Sequence, residues 1–144
     1  MLKKIKAKGT GGHGIKLLMS SLAKIISKEY NITLVFDYDS AVRGGFIDGN
    51  LLFSTKKINS PIFQKTDLLV DLVNNKIEEN NNETNIDLEE YKKKSPNLIS
   101  NMFYLGIILK RINKELLESE VKEVLGKKFS PNNFESIKFG YNLM

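Results

Sequence analysis

The sequence has no cysteine. That excludes disulfides, thiolate zinc sites and any iron–sulfur cluster held by this chain's own side chains. It has one histidine, His13, so a histidine-rich metal site is excluded too. No apolar run approaches the roughly 18–20 residues that a membrane-spanning helix needs. The start, Met-Leu-Lys-Lys-Ile-Lys-Ala-Lys, is basic but leads into glycines rather than an apolar signal core. A cytoplasmic location, with no membrane contact, is the expectation. No RNP, zinc-finger or helix-turn-helix pattern is present and the lysines are scattered, which argues against nucleic acid as a partner.

What remains is an ordinary globular composition, 41% hydrophobic and 27% charged over 144 residues. This predicts a single domain, 1–144, with a real core. The net charge of +5 is uneven. Residues 1–66 carry 11 Lys/Arg against 4 Asp/Glu, whereas residues 67–144 carry 11 against 13. The basic half suits a phosphorylated ligand or an acidic partner protein.

That half opens with a glycine cluster, Gly9-Thr-Gly-Gly-His-Gly14. A β-capable run, 2–7, precedes it. An amphipathic helix pattern, 15–29, follows, with Ile15, Leu18, Leu22, Ile25 and Ile26 on one face. Strand, glycine loop and helix together aim backbone N–H groups and a helix N-terminus at an anion. Gly9, Gly11, Gly12, His13 and Gly14 are therefore candidate binding residues. Arg43, Gly44 and Gly45 are a second set, because Arg binds anions bidentately and glycines permit close approach. A solvated turn with an Arg43 ion pair to Asp37 or Asp39 is the simpler alternative. His13 lacks a visible nucleophile or acid partner, so a role as donor to a phosphate or a neighbouring subunit suits it better than catalysis.

Further along, strands are predicted at 32–36, at 46–54 with a break at Asp48-Gly49-Asn50, and at 67–73 near the sheet centre. Residues 74–97 are rich in Asn, Glu and Lys and read as a mobile or extended connection, with a short strand or turn around 86–88. Helices are predicted at 98–115, at 119–127 with a capping box from Ser119, and at 132–141 behind Ser130-Pro131. Gly106 inside the first of these suggests close helix packing. Strands alternating with helices predict an α/β fold: three layers, α/β/α, with a largely parallel Rossmann-like sheet and a helical C-terminal part.

Gly9-x-Gly-x-x-Gly14 formally matches the dinucleotide fingerprint, and Asp37 ends the next strand, near where a ribose-binding acid belongs. A small stand-alone dinucleotide-binding or regulatory module is thus one reading, although a second half-sheet is missing.

The other reading comes from the motifs taken together. Gly9-Thr-Gly-Gly-His-Gly-Ile15, Tyr38-Asp-Ser-Ala-Val-Arg-Gly-Gly45, Phe53-Ser54, Ile58-Asn-Ser-Pro61, Asp67-Leu-Leu-Val70 and Asn101-Met-Phe-Tyr-Leu-Gly106 follow one another in the order and spacing of a known family. The chain resembles the gamma subunit of the 2-oxoacid:ferredoxin oxidoreductases over residues 1–73 and again from 98 to the end. It departs at His13, where the family has Gln, at Asp39, where it has Gly, and in the short 74–97 segment, which implies a sheet trimmed at that edge. The resemblance implies a subunit inactive alone. Its complex would oxidatively decarboxylate a 2-oxoacid to an acyl-CoA and pass electrons to ferredoxin. Thiamine diphosphate and iron–sulfur clusters would sit on alpha, beta and delta type partners. Coenzyme A is the ligand that the glycine loop and Arg43 could serve.

Overall fold

The computed structural model describes residues 2–39, 45–58 and 65–143. They fall into two compact units, 1–86 and 87–144.

The first unit is a six-stranded sheet with one helix. The strands are β1 (Leu2–Thr10), β2 (Asn31–Asp39), β3 (Phe46–Ser54), β4 (Leu68–Asp71), β5 (Lys76–Glu79) and β6 (Asn82–Asn85), in the order β2-β3-β1-β4-β5-β6. Only β1 and β4 run parallel; every other neighbouring pair is antiparallel. This corrects the expected largely parallel, Rossmann-like sheet, and the cause is connection length. Parallel neighbours need a crossover of about a dozen residues or more. Here β4 turns into β5 within four residues, and β5 into β6 within two. That two-residue turn is Asn80-Asn81, with φ of 53° and 65°. Left-handed conformation at both positions makes the tight turn that matches strand twist. The stretch 74–97, expected to be a mobile or extended connection with a short strand or turn around 86–88, is therefore a hairpin over 76–85 followed by a short helix at 88–94.

The helix α1 (Ile15–Ile26) packs on β1, β2 and β3. Its buried face carries Ile15, Leu18, Met19, Leu22, Ile25 and Ile26, as the periodicity predicts, but it stops short of residue 29. Gly49 does not break β3. A Cβ there would stand 2.7 Å from Met19 Cγ and 3.2 Å from Phe36 Cε1, so glycine lets helix and edge strand approach. Ile5, Ala7, Leu51, Leu68 and Val70 fill the same face and are buried. Asp67 ties β4 to β1: its carboxylate accepts from Lys4 N at 2.8 Å, and its own N–H donates to Lys4 O at 2.9 Å.

The second unit holds α2 (Leu88–Lys94), α3 (Ser100–Arg111), α4 (Glu118–Leu125) and α5 (Pro131–Tyr141). Asp87 accepts from Glu90 N to cap α2, and Ser130 accepts from Asn133 N to cap α5. The capping box expected at Ser119 does not form; α4 begins one residue earlier, with Leu117 at its N-cap. α3 is shorter than expected because Ile99 and Ile112 take non-helical conformations. Gly106 and Gly140 sit where α3 and α5 cross. A Cβ on Gly106 would collide with the backbone carbonyl of Ile137, and one on Gly140 with that of Phe103. Buried Ser136 joins the two helices by donating to Asn132 O and accepting from Ile99 N, both at 2.8 Å.

Because backbone blocks the Gly106 Cβ, Gly106→Ala is expected to lower stability by about 3 kcal/mol or more. Gly11, where a Cβ meets nothing within 4 Å, is the control. Gly11→Ala should fall within about 0.5 kcal/mol of the wild type. Urea midpoints of the two variants check the difference.

Candidate functional site

β1 runs directly into the glycine cluster, and the structure divides the labour among its glycines. Gly9 still pairs in the strand, opposite Ile47, and a Cβ on it would lie 2.7 Å from Ile15 Cγ1. Its smallness therefore serves helix packing. Gly14 has φ 68°, the left-handed turn from which α1 starts. Its carbonyl accepts the first helical bond from Leu18 N, at 3.0 Å. Between them, residues 11–13 form a single 3-10 turn. His13 closes that turn, with Nδ1 accepting from Thr10 N at 2.8 Å and lying 3.0 Å from Thr10 Oγ1. A backbone N–H can only donate, so the neutral ring carries its proton on Nε2.

Gly11 and Gly12 are different. Both are exposed, neither has positive φ, and a Cβ on either meets nothing within 4 Å. Among the described residues, no contact requires glycine at either position.

Of the second candidate set, Gly45 is brought to the same place. Thr10 is in register with Phe46, and Phe46 with Asp39, so Gly45 stands next to the glycine loop with φ 61°. Lys16, on the first turn of α1, places its ammonium 5.1 Å from the centre of the Tyr38 ring. Arg43 and Gly44 lie outside the described residues, as do Ser60 and Pro61.

Asp37 is not where a ribose-binding acid should be. β3 stands between β1 and β2, putting Asp37 two strand spacings, about 10 Å, from β1. It also lies on the opposite face, since Ala7, Gly49 and Phe36 share the α1 face and their neighbours alternate. There it joins a row crossing five strands in register: Asp37, Asp48, Lys8, Asp71 and Lys76. Asp48 reaches Lys6 at 3.9 Å. The buried Asn50 donates to Asp37 Oδ2 at 3.0 Å, leaving its own Oδ1 without a partner.

Part of the row lines an open cleft of about 510 Å³, with Tyr38, Phe46 and Val73 at its rim. Asp71 is buried and accepts from Val73 N at 2.9 Å and from Asn74 N and Nδ2 at 3.0 Å each. Burial works to raise its pKa, but the Asn74 and Val73 hydrogen bonds and the Lys8 charge outweigh it and hold the carboxyl below its usual range. This row escaped the sequence reading, apart from Asp37. Its one visible signal is Asp71-Leu-Val-Asn-Asn75, an acid and two asparagines closing an apolar run, which marks a side-chain-stabilised turn. Among the described residues no group of three His, Asp or Glu side chains could hold a metal ion.

With that geometry in hand, the solved structures show where the fold recurs. Over 99% of its length this chain matches part of a 2-oxoglutarate:ferredoxin oxidoreductase from Magnetococcus marinus, solved with 2-oxoglutarate, coenzyme A and succinyl-CoA, at TM-score 0.70 and 17% identity. It spans only 31% of that longer chain. A gamma subunit of a keto/oxoacid ferredoxin oxidoreductase from Geobacter sulfurreducens matches at TM-score 0.65 and 13% identity, covering 98% of this chain and 95% of that one. Pyruvate oxidoreductase subunit PORC from Thermotoga maritima matches at TM-score 0.64 and 15% identity, covering 97% and 95%. No protein-family profile matches the sequence, and no curated protein does. The chain thus has the fold of the gamma modules of 2-oxoacid:ferredoxin oxidoreductases.

Asp71 yields a pH prediction. A carboxyl held low in the native state adds stability that is full above the ordinary value of 3.8 and fades as pH falls through the lower native value. Asp71→Asn is expected to cost about 1–2 kcal/mol at neutral pH and to flatten that acid limb. Thermal melts of both proteins from pH 7 down to pH 2.5 check it.

Proposed function

We propose that the chain is a gamma-type subunit of a 2-oxoacid:ferredoxin oxidoreductase, a part of the enzyme that is inactive alone. The full complex would oxidatively decarboxylate a 2-oxoacid to an acyl-CoA and pass the electrons to ferredoxin. The observation that carries this is the match to two separate gamma-type subunits over nearly the whole of both partners. The six sequence motifs in family order support it independently.

Thiamine diphosphate and iron–sulfur clusters belong to alpha, beta and delta type partners on this reading; a chain without cysteine has no thiolates for a cluster. The complex would work in the cytoplasm, and no described helix is long and apolar enough to cross a membrane.

Coenzyme A is the ligand proposed for the glycine loop. The residues fit its charged end. Gly11 and Gly12 are open to close approach, the α1 N-terminus offers N–H donors, and Lys16 stands on the first turn. In the bound state this chain's part would be positioning: the backbone N–H groups of Gly11 and Gly12 and the Arg43 side chain would hold a phosphate. The stand-alone dinucleotide reading loses its acid, because β3 separates Asp37 from the loop.

A tagged copy expressed in its native host is expected to capture thiamine- and cluster-bearing subunits. Capture of none, with tight NAD binding by the isolated chain in calorimetry, would reverse the assignment. Within the complex, Arg43→Ala should raise the KM for coenzyme A several-fold while kcat and assembly hold. An unchanged KM removes coenzyme A from the loop and leaves the subunit assignment standing.

A further inference from the structure

The two edges of the sheet are built in opposite ways. β6 is four residues long, Asn-Glu-Thr-Asn, and wholly exposed and polar. Short, polar and charged edge strands resist pairing with other chains. β2, at the other edge, is nine residues long and in register with β3 at every position, with no bulge. It contains no Pro, Gly, Lys or Arg, and it holds the run Ile-Thr-Leu-Val-Phe. Val35 is 47% exposed and Tyr38 59%. No described strand pairs with its outer side. A long edge with an apolar run and no described strand on its outer side is a template for another strand.

We propose that β2 is an interaction surface that accepts an extended strand from a partner subunit, continuing the sheet beyond this chain. This rests on the reading of the chain as one subunit of a complex. The chemistry of the incoming strand follows from the exposed side chains it must match. On the face of the charged row it meets Val35 and then, two residues on, Asp37. Asp37 has only the Asn50 amide as a described partner, and Asp48 lies beside it in register. The incoming strand therefore carries an apolar residue opposite Val35 and a Lys or Arg opposite Asp37. A second copy of this chain does not meet that need. β2 supplies no cation to face Asp37 in any register, and two copies each carrying +5 repel.

The test compares amide hydrogen exchange of 31–39 in the isolated chain with that in the complex captured through a tagged copy. Alternate β2 amides are expected to exchange at least tenfold more slowly in the complex. Val35→Lys should lose capture of the partner while melting within a few degrees of the wild type, and Glu83→Lys on the opposite edge should capture normally. Asp37→Lys should weaken capture several-fold. A captured complex with β2 exchanging as in the isolated chain overturns the proposal and leaves the subunit assignment intact. Protection that grows with concentration in the isolated chain means a second copy and overturns it as well. Failure to capture any subunit removes both readings.

Discussion

α1 lies closer to the sheet than a side chain would allow at two points, and much of the first unit follows from that approach. Gly9 and Gly49 face the helix from neighbouring strands, and each would place a Cβ 2.7 Å from a helical side chain. Any larger residue would push Ile15 or Met19 outward, opening the layer that Ile5, Ala7 and Leu51 fill. The same approach shapes the loop. β1 must deliver the chain to the start of α1 with almost no length to spare. One 3-10 turn and one left-handed glycine accomplish this, and His13 accepting from Thr10 N closes the turn. The loop is thus fixed by packing beneath it and by hydrogen bonds within it, between Thr10 and His13.

The opposite face of the sheet is organised by charge. A row of acids and lysines runs in register across five strands, with signs alternating from Asp48 onward and polar hydrogens supplied locally. Asp71, the most buried of the acids, draws three N–H groups from the turn that follows it. That turn reverses the chain from β4 into β5, so one carboxylate both joins the row and folds the hairpin. The surplus of negative charge lies at the β2 end, where Asp37 and Asp48 stand side by side with Lys6 as the described ion-pair partner of the second.

The positions of α1, α3, α4 and α5 were legible in the sequence, because each has its own periodicity or stop signal, whereas α2 lay hidden in the stretch read as a connection. α1 shows its apolar face, and α5 its Ser130-Pro131 start. Gly106 announced a close crossing, and the Ile137 carbonyl that demands it is what the structure adds. Strand direction was not legible. β-propensity marks 32–36 and 46–54 as strands but says nothing about which way each runs or what lies beside it, since pairing is a non-local choice. Asp48-Gly49-Asn50 looked like a turn because Gly and Asx usually mean one. Gly49 instead serves a helix thirty residues away in sequence, and only the packed structure shows that. Asn80-Asn81 misled in the other direction: an apparent low-complexity tract holds a two-residue turn with both φ positive.

The candidate site was legible in composition but not in division of labour. Four glycines in six residues suggest an anion cradle, and nothing in their spacing tells which serve the fold. The structure assigns Gly9 to the contact with Ile15 and Gly14 to the left-handed turn. Gly11 and Gly12 are left with no internal reason to be glycine, side by side at a helix N-terminus and next to the Nε2 donor of His13. Glycine weakens a chain by enlarging its unfolded entropy. On the proposed reading, Gly11 and Gly12 leave room for a surface that comes within backbone distance from outside the chain. A phosphate and a partner's main chain both make that demand, and both are excluded by a methyl group. The group that separates them is the Arg43 guanidinium, which pairs with an anion, whereas a neutral His13 Nε2–H is a donor suited to an anion or a carbonyl alike.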